Sequence, residues 1–319
     1  MTVAPPSESF QTEAATSFTQ SIMAGLRARQ KTIESKWLYD ARGSQLFDTI
    51  TQLDEYYPTR TELGILRKHA AELQHYVSGN TALVELGSGS STKTRALLNT
   101  LPNLHSYVPV DISKDHLYAS ARHVADEYGA LNVIPIVGDF TGEIPLPAEL
   151  GDARKILFFP GSTIGNFQIG DAADLLAQMR QISDVVAFVV GVDLVKDTDT
   201  LIRAYDDTSG VTAAFNMNLL TRINRELGAN FNLDGFKHEA RWNDARSRVE
   251  MHLVSLRAQV IQIFGEEISF AVGESIHTEN SHKYTPGQLE QLACENGWEA
   301  DQIWTDPKQL FGVAVLTPK

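Results

Sequence analysis

"VELGSGSSTKTR", residues 84–95, decides the reading of the fold. Val84-Glu85-Leu86 closes an apolar strand, Gly87-Ser88-Gly89 turns the chain, and a helix starts in the Ser/Thr run that follows. Glycines between a strand and a helix let a ligand lie against bare backbone at the helix N-terminus. The pattern is G-x-G and not the full G-x-G-x-x-G, because position 92 is Thr. Alone, it is equally what a tight strand-to-helix turn requires.

Working outward, short apolar runs alternate with helical segments. The runs are 82–86, 106–111, 133–140, 155–160 and 185–194, with helices expected near 91–101, 114–128 and 171–183. Apolar runs without alternation are strands buried on both faces. The β-α-β-α order makes an α/β protein with a doubly wound parallel sheet. Asp111 ends the second run, where a carboxylate suits a ribose diol, although an N-cap for the next helix is the plain alternative. Gly138-Asp139-Phe140 ends the third: the aspartate can accept from an exocyclic adenine amine and the ring can lie against the base, whereas a simple turn needs only the aspartate. Together these strand ends point to an adenosine compound. NAD would call for the third glycine and a nucleoside triphosphate for G-x-x-x-x-G-K-[ST], and neither is present. S-adenosylmethionine carries no phosphate, so a short loop suffices. Lys93 is placed to meet a ligand carboxylate, or to be an ordinary solvated helix lysine.

The fourth run ends in "LFFPGSTIGNF", residues 157–167. Its loop offers amide and hydroxyl groups and close backbone approach, but no acid, base or thiol. Upstream, Leu46, Phe47, Ile50 and Leu53 share one helical face, and Thr59 with Glu62 has the spacing of a capping box, which predicts a helix starting near Arg60. Residues 199–207 and 211–227 read as helices. Residues 236–276 alternate with period two, as an antiparallel meander inserted after the fifth strand. A helix follows Pro286, and QIWTD and FGVAVL are close enough to pair as a hairpin. Residues 1–18 read as an irregular lead-in without a signal peptide.

The bulk properties narrow the function. The formal net charge of −13 argues against nucleic acid or a membrane surface as partner, since a polyanion needs a basic groove. No apolar run reaches the length of a membrane span. A single cysteine, Cys294, excludes an internal disulfide and reads as a buried thiol of the helix 287–296. No Cys/His cluster has the spacing of a metal site. These features describe a cytoplasmic protein, and the lack of an obvious exposed apolar stripe describes a monomer.

From about Lys36 to the C-terminus the chain resembles the ergothioneine-pathway L-histidine N-alpha-methyltransferases, within the class I S-adenosylmethionine-dependent methyltransferases. The resemblance rests on "KWLYDARGSQLFDTIT", "EYYPTRTE", "VELGSGSSTKTR", "GSTIGN", "DLVKDTDTLIRAYDDTSGVTAAFN", "RVEMHL" and "GESIHTENSHK", in that order. It implies a Rossmann-like core with a mostly parallel seven-stranded sheet, formed by 60–196 and 283–319. A second, α+β substrate-binding domain would combine 1–59 with 197–282. It implies trimethylation of the α-nitrogen of L-histidine to hercynine, with no metal, and no nucleic-acid or membrane partner. Tyr39, Gly87, Lys93, Asp111, Asp139 and Phe140 would bind the methyl donor. Tyr56, Gly161, Thr163, Asn166, Tyr205, Met251, Glu279 and Ser281 would surround the histidine. A methyltransferase for another amino acid or small amine is the alternative.

These assignments have a physical sense. Asn166 can offer its carbonyl to an amine and its NH2 to a carboxylate. Glu279 and Ser281, two apart on a strand, face the same way and suit the two nitrogens of an imidazole, the hydroxyl adapting to whichever is left. Tyr205 can hold the substrate carboxylate, or pack in the core as part of a helix face. Met251 is most simply a packing residue. A sulfonium methyl is already activated, so the protein's task is alignment, which explains a loop in which nothing titrates. The α-ammonium must still lose a proton, and Tyr39 or Tyr56 is placed to pass it to water. Asp193 and Asp197 read as caps or ion-pair members.

Overall fold

The computed structural model describes residues 8–89 and 91–319. The expected irregular lead-in therefore lies partly outside the described residues, and from Glu8 onward it is corrected. Helix α1 runs Glu8–Arg27. Its buried Phe18, Ile22 and Leu26 recur every four residues and carry the helical period through what reads as a polar tail.

After α1 come β1 (Lys31–Thr32), a 3-10 turn at Ser35–Leu38, α2 (Ala41–Ile50) and α3 (Tyr57–His69). The core follows: β2 (Thr81–Leu86), α4 (Thr92–Thr100), β3 (Ser106–Asp111), α5 (Lys114–Glu127), β4 (Asn132–Val133), β5 (Ile136–Val137), β6 (Arg154–Phe159), α6 (Ile169–Arg180) and β7 (Val185–Asp193). Then come α7 (Thr198–Tyr205), α8 (Val211–Leu227), β8 (Phe236–Asn243), β9 (Arg248–Ser255), β10 (Gln259–Ile263), β11 (Glu266–Phe270) and β12 (Ser275–His282). The chain ends with α9 (Pro286–Glu295), β13 (Trp298–Thr305) and β14 (Phe311–Pro318).

The larger sheet has seven positions, in the order β13, β14, β7, β6, β2, β3 and then β4 with β5, two short strands that pair β3 in succession. All its pairs are parallel except those made by β14, which is antiparallel to β7 and to β13. The expected hairpin is present, with Trp304 opposite Val313. Val84, Val108 and Leu157 lie in register across β2, β3 and β6, fully buried between the helical layers. The chain enters at β2, builds outward through β3, and returns to β6 on the other side. That reversal opens a crevice at the carboxyl ends of β2 and β6.

The meander is corrected in its pairing. β8, β9 and β12 form an antiparallel sheet that β1 joins in parallel at its edge, while β10 and β11 make a separate hairpin. One face of the sheet carries Met251, Leu253 and Ile276 into a core shared with α1, α2, α7 and α8. A register shift between His277 and Glu279 precedes the useful part of β12. Beyond it Glu279 lies opposite Met251 and Ser281 opposite Val249, so both face the same side.

Two local expectations fail. The Thr59–Glu62 capping box does not form: α3 starts at Tyr57, with Pro58 in its first turn, and Glu62 turns inward with no exposed surface. Cys294 is exposed. The buried stripe of α9 is Leu289, Leu292 and Ala293, and the next residue has rotated away from it.

Candidate active site

A cavity of about 1120 Å³ fills the crevice and extends to the inner face of the β12 sheet. Tyr39, Tyr56, Gly87, Lys93, Asp111, Asp139, Phe140, Gly161, Thr163, Asn166, Tyr205, Glu279 and Ser281 all line it. Met251 does not; it is buried in the core opposite Glu279, as a packing residue.

One end is built on the carboxyl ends of β2 and β3. Gly87 has φ of +71°, a left-handed conformation that glycine adopts without strain, and it lies in contact distance of the Phe140 ring. Ser88 Oγ is buried with no hydrogen-bond partner among the described residues, and it lines the cavity. Such an orphan polar atom, beside bare backbone and a phenylalanine ring, fits a nucleoside. Asp111 accepts from the backbone N–H of Ser113 at 2.8 Å and of Gly89 at 3.3 Å, while burial raises its carboxyl above the ordinary range. Asp139 folds back on Thr141 N and Oγ1 and pairs with Lys36 at 3.2 Å. Burial pushes this carboxyl up, but these contacts outweigh it and leave it below the ordinary range. The turn role and a cavity-facing place coexist at Asp139. Lys93 is not a solvated lysine: its ammonium is 2.6 Å from Glu62.

The other end is built from the 157–167 loop, α7 and β12. The Thr163–Asn166 turn lies so close to β12 that a Cβ on Gly165 would stand 2.8 Å from the His282 carbonyl. This contact brings the Asn166 amide to Glu279, donating Nδ2–H to Oε1 at 3.0 Å. Asn166 is thereby oriented with its carbonyl free for another donor. Burial pushes the Glu279 carboxyl up to about 8, against the pull of Lys283 and Asn166. Tyr205 and Ser281 share a hydrogen bond of 2.7 Å. The Gly161 N–H donates to both oxygens of Glu62, at 3.1 and 2.9 Å.

Between the two ends stands an aromatic wall. Tyr39 meets Phe47 and Phe215 edge-on at 5.5 and 5.4 Å, and Tyr56 meets Phe47 and Tyr205 at 6.2 and 6.0 Å. Burial, and then the neighbouring acids and phenols, push the Tyr39 and Tyr56 hydroxyls well above the usual phenol range. Burial thus favours the neutral phenol at both positions.

Several participants escaped the sequence reading. Glu62 ties Lys93 to Gly161 and so joins the two ends of the cavity. Its acidic character inside an otherwise apolar helical stripe is the signal. Phe47 and Phe215 complete the wall, but each reads as ordinary helix core. Asp193 is an ion-pair member, between Lys196 and Lys283, and Asp197 caps α7 through Thr200 N. Glu250, His252 and His277 also come together, with ligand atoms within 4.8 Å of one another, although their spacing in sequence shows nothing. There the Glu250 carboxylate is held by Arg248 at 2.6 Å, and burial with neighbouring positive charge lowers His252 to about 4.

Comparisons with known proteins show the family. The model of a family described as histidine-specific methyltransferase, S-adenosylmethionine-dependent, matches residues 18–318. The chain is 41% identical over 308 residues to the histidine N-alpha-methyltransferase of Mycolicibacterium smegmatis, covering 95% of each. It is 40% identical over 302 residues to the protein of that name from Mycobacterium tuberculosis, covering 93% of each. It is also 30% identical to ergothioneine biosynthesis protein 1 of Neurospora crassa, over 84% of this chain and 31% of that one.

Proposed function

The chain belongs to the histidine-specific, S-adenosylmethionine-dependent methyltransferases, and on that premise we propose that its cavity trimethylates the α-nitrogen of L-histidine to hercynine, the first step of ergothioneine biosynthesis. The observation that carries the site assignment is the Asn166–Glu279 hydrogen bond. It joins an amine acceptor and a buried carboxyl in one wall of the cavity that also holds the glycine turn.

S-adenosylmethionine supplies an electrophilic methyl group on a sulfonium. Gly87, Lys93, Asp111, Asp139, Phe140 and Tyr39 form the donor end. Asn166 accepts an N–H of the substrate amine through Oδ1 and so aims the nitrogen lone pair. Glu279 and Ser281 hold the imidazole, Tyr205 the carboxylate, and Tyr56, Gly161 and Thr163 shape the space around the amine. The amine loses its proton on entering, because a buried ammonium beside a sulfonium is disfavoured. Tyr39 and Tyr56 pass that proton outward as neutral hydroxyls. Their rings, with Phe47 and Phe215, also suit onium groups, since a positive charge is attracted to aromatic faces. Residues 60–196 with 283–319 act as the donor-binding part, and 1–59 with 197–282 as the substrate-binding part. We read the protein as a cytoplasmic monomer with no nucleic-acid or membrane partner; among the described residues, no helix is long and apolar enough to cross a membrane.

The test is incubation with S-adenosylmethionine and a panel of amino acids, followed by mass spectrometry. Histidine is expected to gain three methyl groups. Donor binding with histidine unchanged, or preferential methylation of another amine, overturns the reading. We also read the reaction as independent of a metal at Glu250, His252 and His277. Dialysis against EDTA should leave turnover within about twofold, and loss restored by Zn²⁺ would contradict that.

A further inference from the structure

Lys283 has no exposed side-chain surface, and neither has its partner Asp193. All three protons of its ammonium are used: on Asp193 Oδ2 at 2.6 Å, the Tyr205 phenol oxygen at 2.9 Å and Ser281 Oγ at 2.7 Å. Asp193 is also met by Lys196 and accepts from the Tyr57 hydroxyl at 2.8 Å. Lys196 donates to that same hydroxyl at 2.7 Å.

Two lysines share one carboxylate, with Glu279 acting on Lys283 and Asp306 on Lys196 from farther away. Burial lowers both lysines, Lys196 to about 8, while the two lysines hold Asp193 below the ordinary range despite its burial. The cluster's route to the cavity is through Tyr205 and Ser281, both of which line it.

Proton counting gives this route a direction. A hydroxyl has one proton and two lone pairs. Tyr205 and Ser281 each give one lone pair to Lys283, and one of their two protons bridges the 2.7 Å between them. A single proton is left for the cavity. Lys283 donates to the Tyr205 oxygen from behind, and a phenol that accepts from an ammonium is the stronger donor to an anion in front.

We propose that Lys283 and Lys196, held against Asp193, are positioning residues that make Tyr205 a carboxylate-selecting donor. Ser281 then donates to Tyr205 and turns its remaining lone pair to a ring N–H of the substrate. The hydroxyl of Ser281 is fixed as an acceptor and does not adapt to either ring nitrogen. This rests on the histidine reading above and explains why an amine without a carboxylate would be refused.

The experiment compares histidine with histidinol, which lacks only the carboxylate, in wild type, K283M, K196M and Y205F. Dissociation constants are measured by competition against histidine methylation, and binding of S-adenosylhomocysteine checks that each variant folds. In K283M and Y205F the wild-type preference for histidine over histidinol should fall at least tenfold. In K196M, whose lysine lies farther from Tyr205, it should fall about threefold. S-adenosylhomocysteine binding should stay within twofold in all three. A structural lesion would weaken both ligands alike and leave their ratio unchanged. If each lysine variant that folds keeps the wild-type ratio within twofold, or if wild type methylates histidine yet binds histidinol equally well, the proposal is overturned. If wild type does not methylate histidine, the functional reading itself has failed, which is a separate result. Should K283M not fold, K196M and Y205F decide.

Discussion

At the residue scale, Glu279 is the side chain whose environment says most. A carboxyl held at about 8 instead of its ordinary 4.5 binds its proton more tightly in the folded chain than in the unfolded one. Its contribution to stability is fully present below about pH 4.5 and is lost as the pH rises through 8. Replacing it with Gln should therefore raise the melting temperature relative to wild type by an amount that grows from pH 5 to pH 9. A difference that is constant, or shrinks, would show that Glu279 is already ionised in the fold. The same variant should raise the KM for histidine at least thirtyfold while donor binding changes less than twofold, measured by steady-state kinetics and calorimetry. Glu62 should behave differently. It is buried between Lys93 and the Gly161 N–H, and removing one partner of such a pair costs roughly 3–5 kcal/mol. E62A should lower the melting temperature and weaken both substrates, where E279Q weakens one. The contrast shows where sequence was readable. Strand spacing puts Glu279 and Ser281 on one face, and the family resemblance singles them out; both line the cavity. Glu62 sits in what reads as a capping box, and its role comes from the meeting of α4 and the Gly161 loop, which are distant in sequence.

At the element scale, the site depends on contacts between segments that do not know of each other in the sequence. The 3-10 turn at Thr163–Asn166 seats on β12 because Gly165 has no side chain. G165A should push the turn away from the His282 carbonyl, cost about 1–3 kcal/mol by overpacking and break the Asn166–Glu279 bond. The expected result is a large loss of kcat with donor affinity retained; unchanged turnover would mean that the turn is not the aligning element. The parallel core was legible almost strand by strand. Strands buried on both faces leave continuous apolar runs, and glycine or aspartate marks their ends. The β12 sheet was half legible. Period two gave its strands but not its partners, because alternation fixes which face is buried and says nothing about which strand lies alongside. That is why β10 and β11 leave the sheet, and β1 enters it, without any local sign. Helix α1 was missed because its polar start hides a four-residue apolar spacing.

At the scale of the whole molecule, one cavity is walled by two sheets and by helices from α2 to α8. Lys36, from the 3-10 turn next to β1, reaches Asp139 at the end of the β5 segment. Glu62 of α3 reaches Gly161, and Lys283 reaches Asp193 and Tyr205. On the proposed assignment, each substrate would touch a surface that these bridges join to the other's. Where one ligand orders what the second must contact, the second binds with less ordering left to do, and the two affinities are coupled reciprocally. Ligand binding to the native state stabilises it by RT ln(1 + [L]/Kd) and so raises its melting temperature. Histidine with S-adenosylhomocysteine should thus raise the melting temperature by more than the sum of the two shifts measured singly. In E62A, which cuts the link between the two ends, the shifts should become additive. Additivity already in wild type would mean that the two ends of the cavity are held independently, and that the buried Glu62 bridge is scaffolding without a part in coupling the substrates.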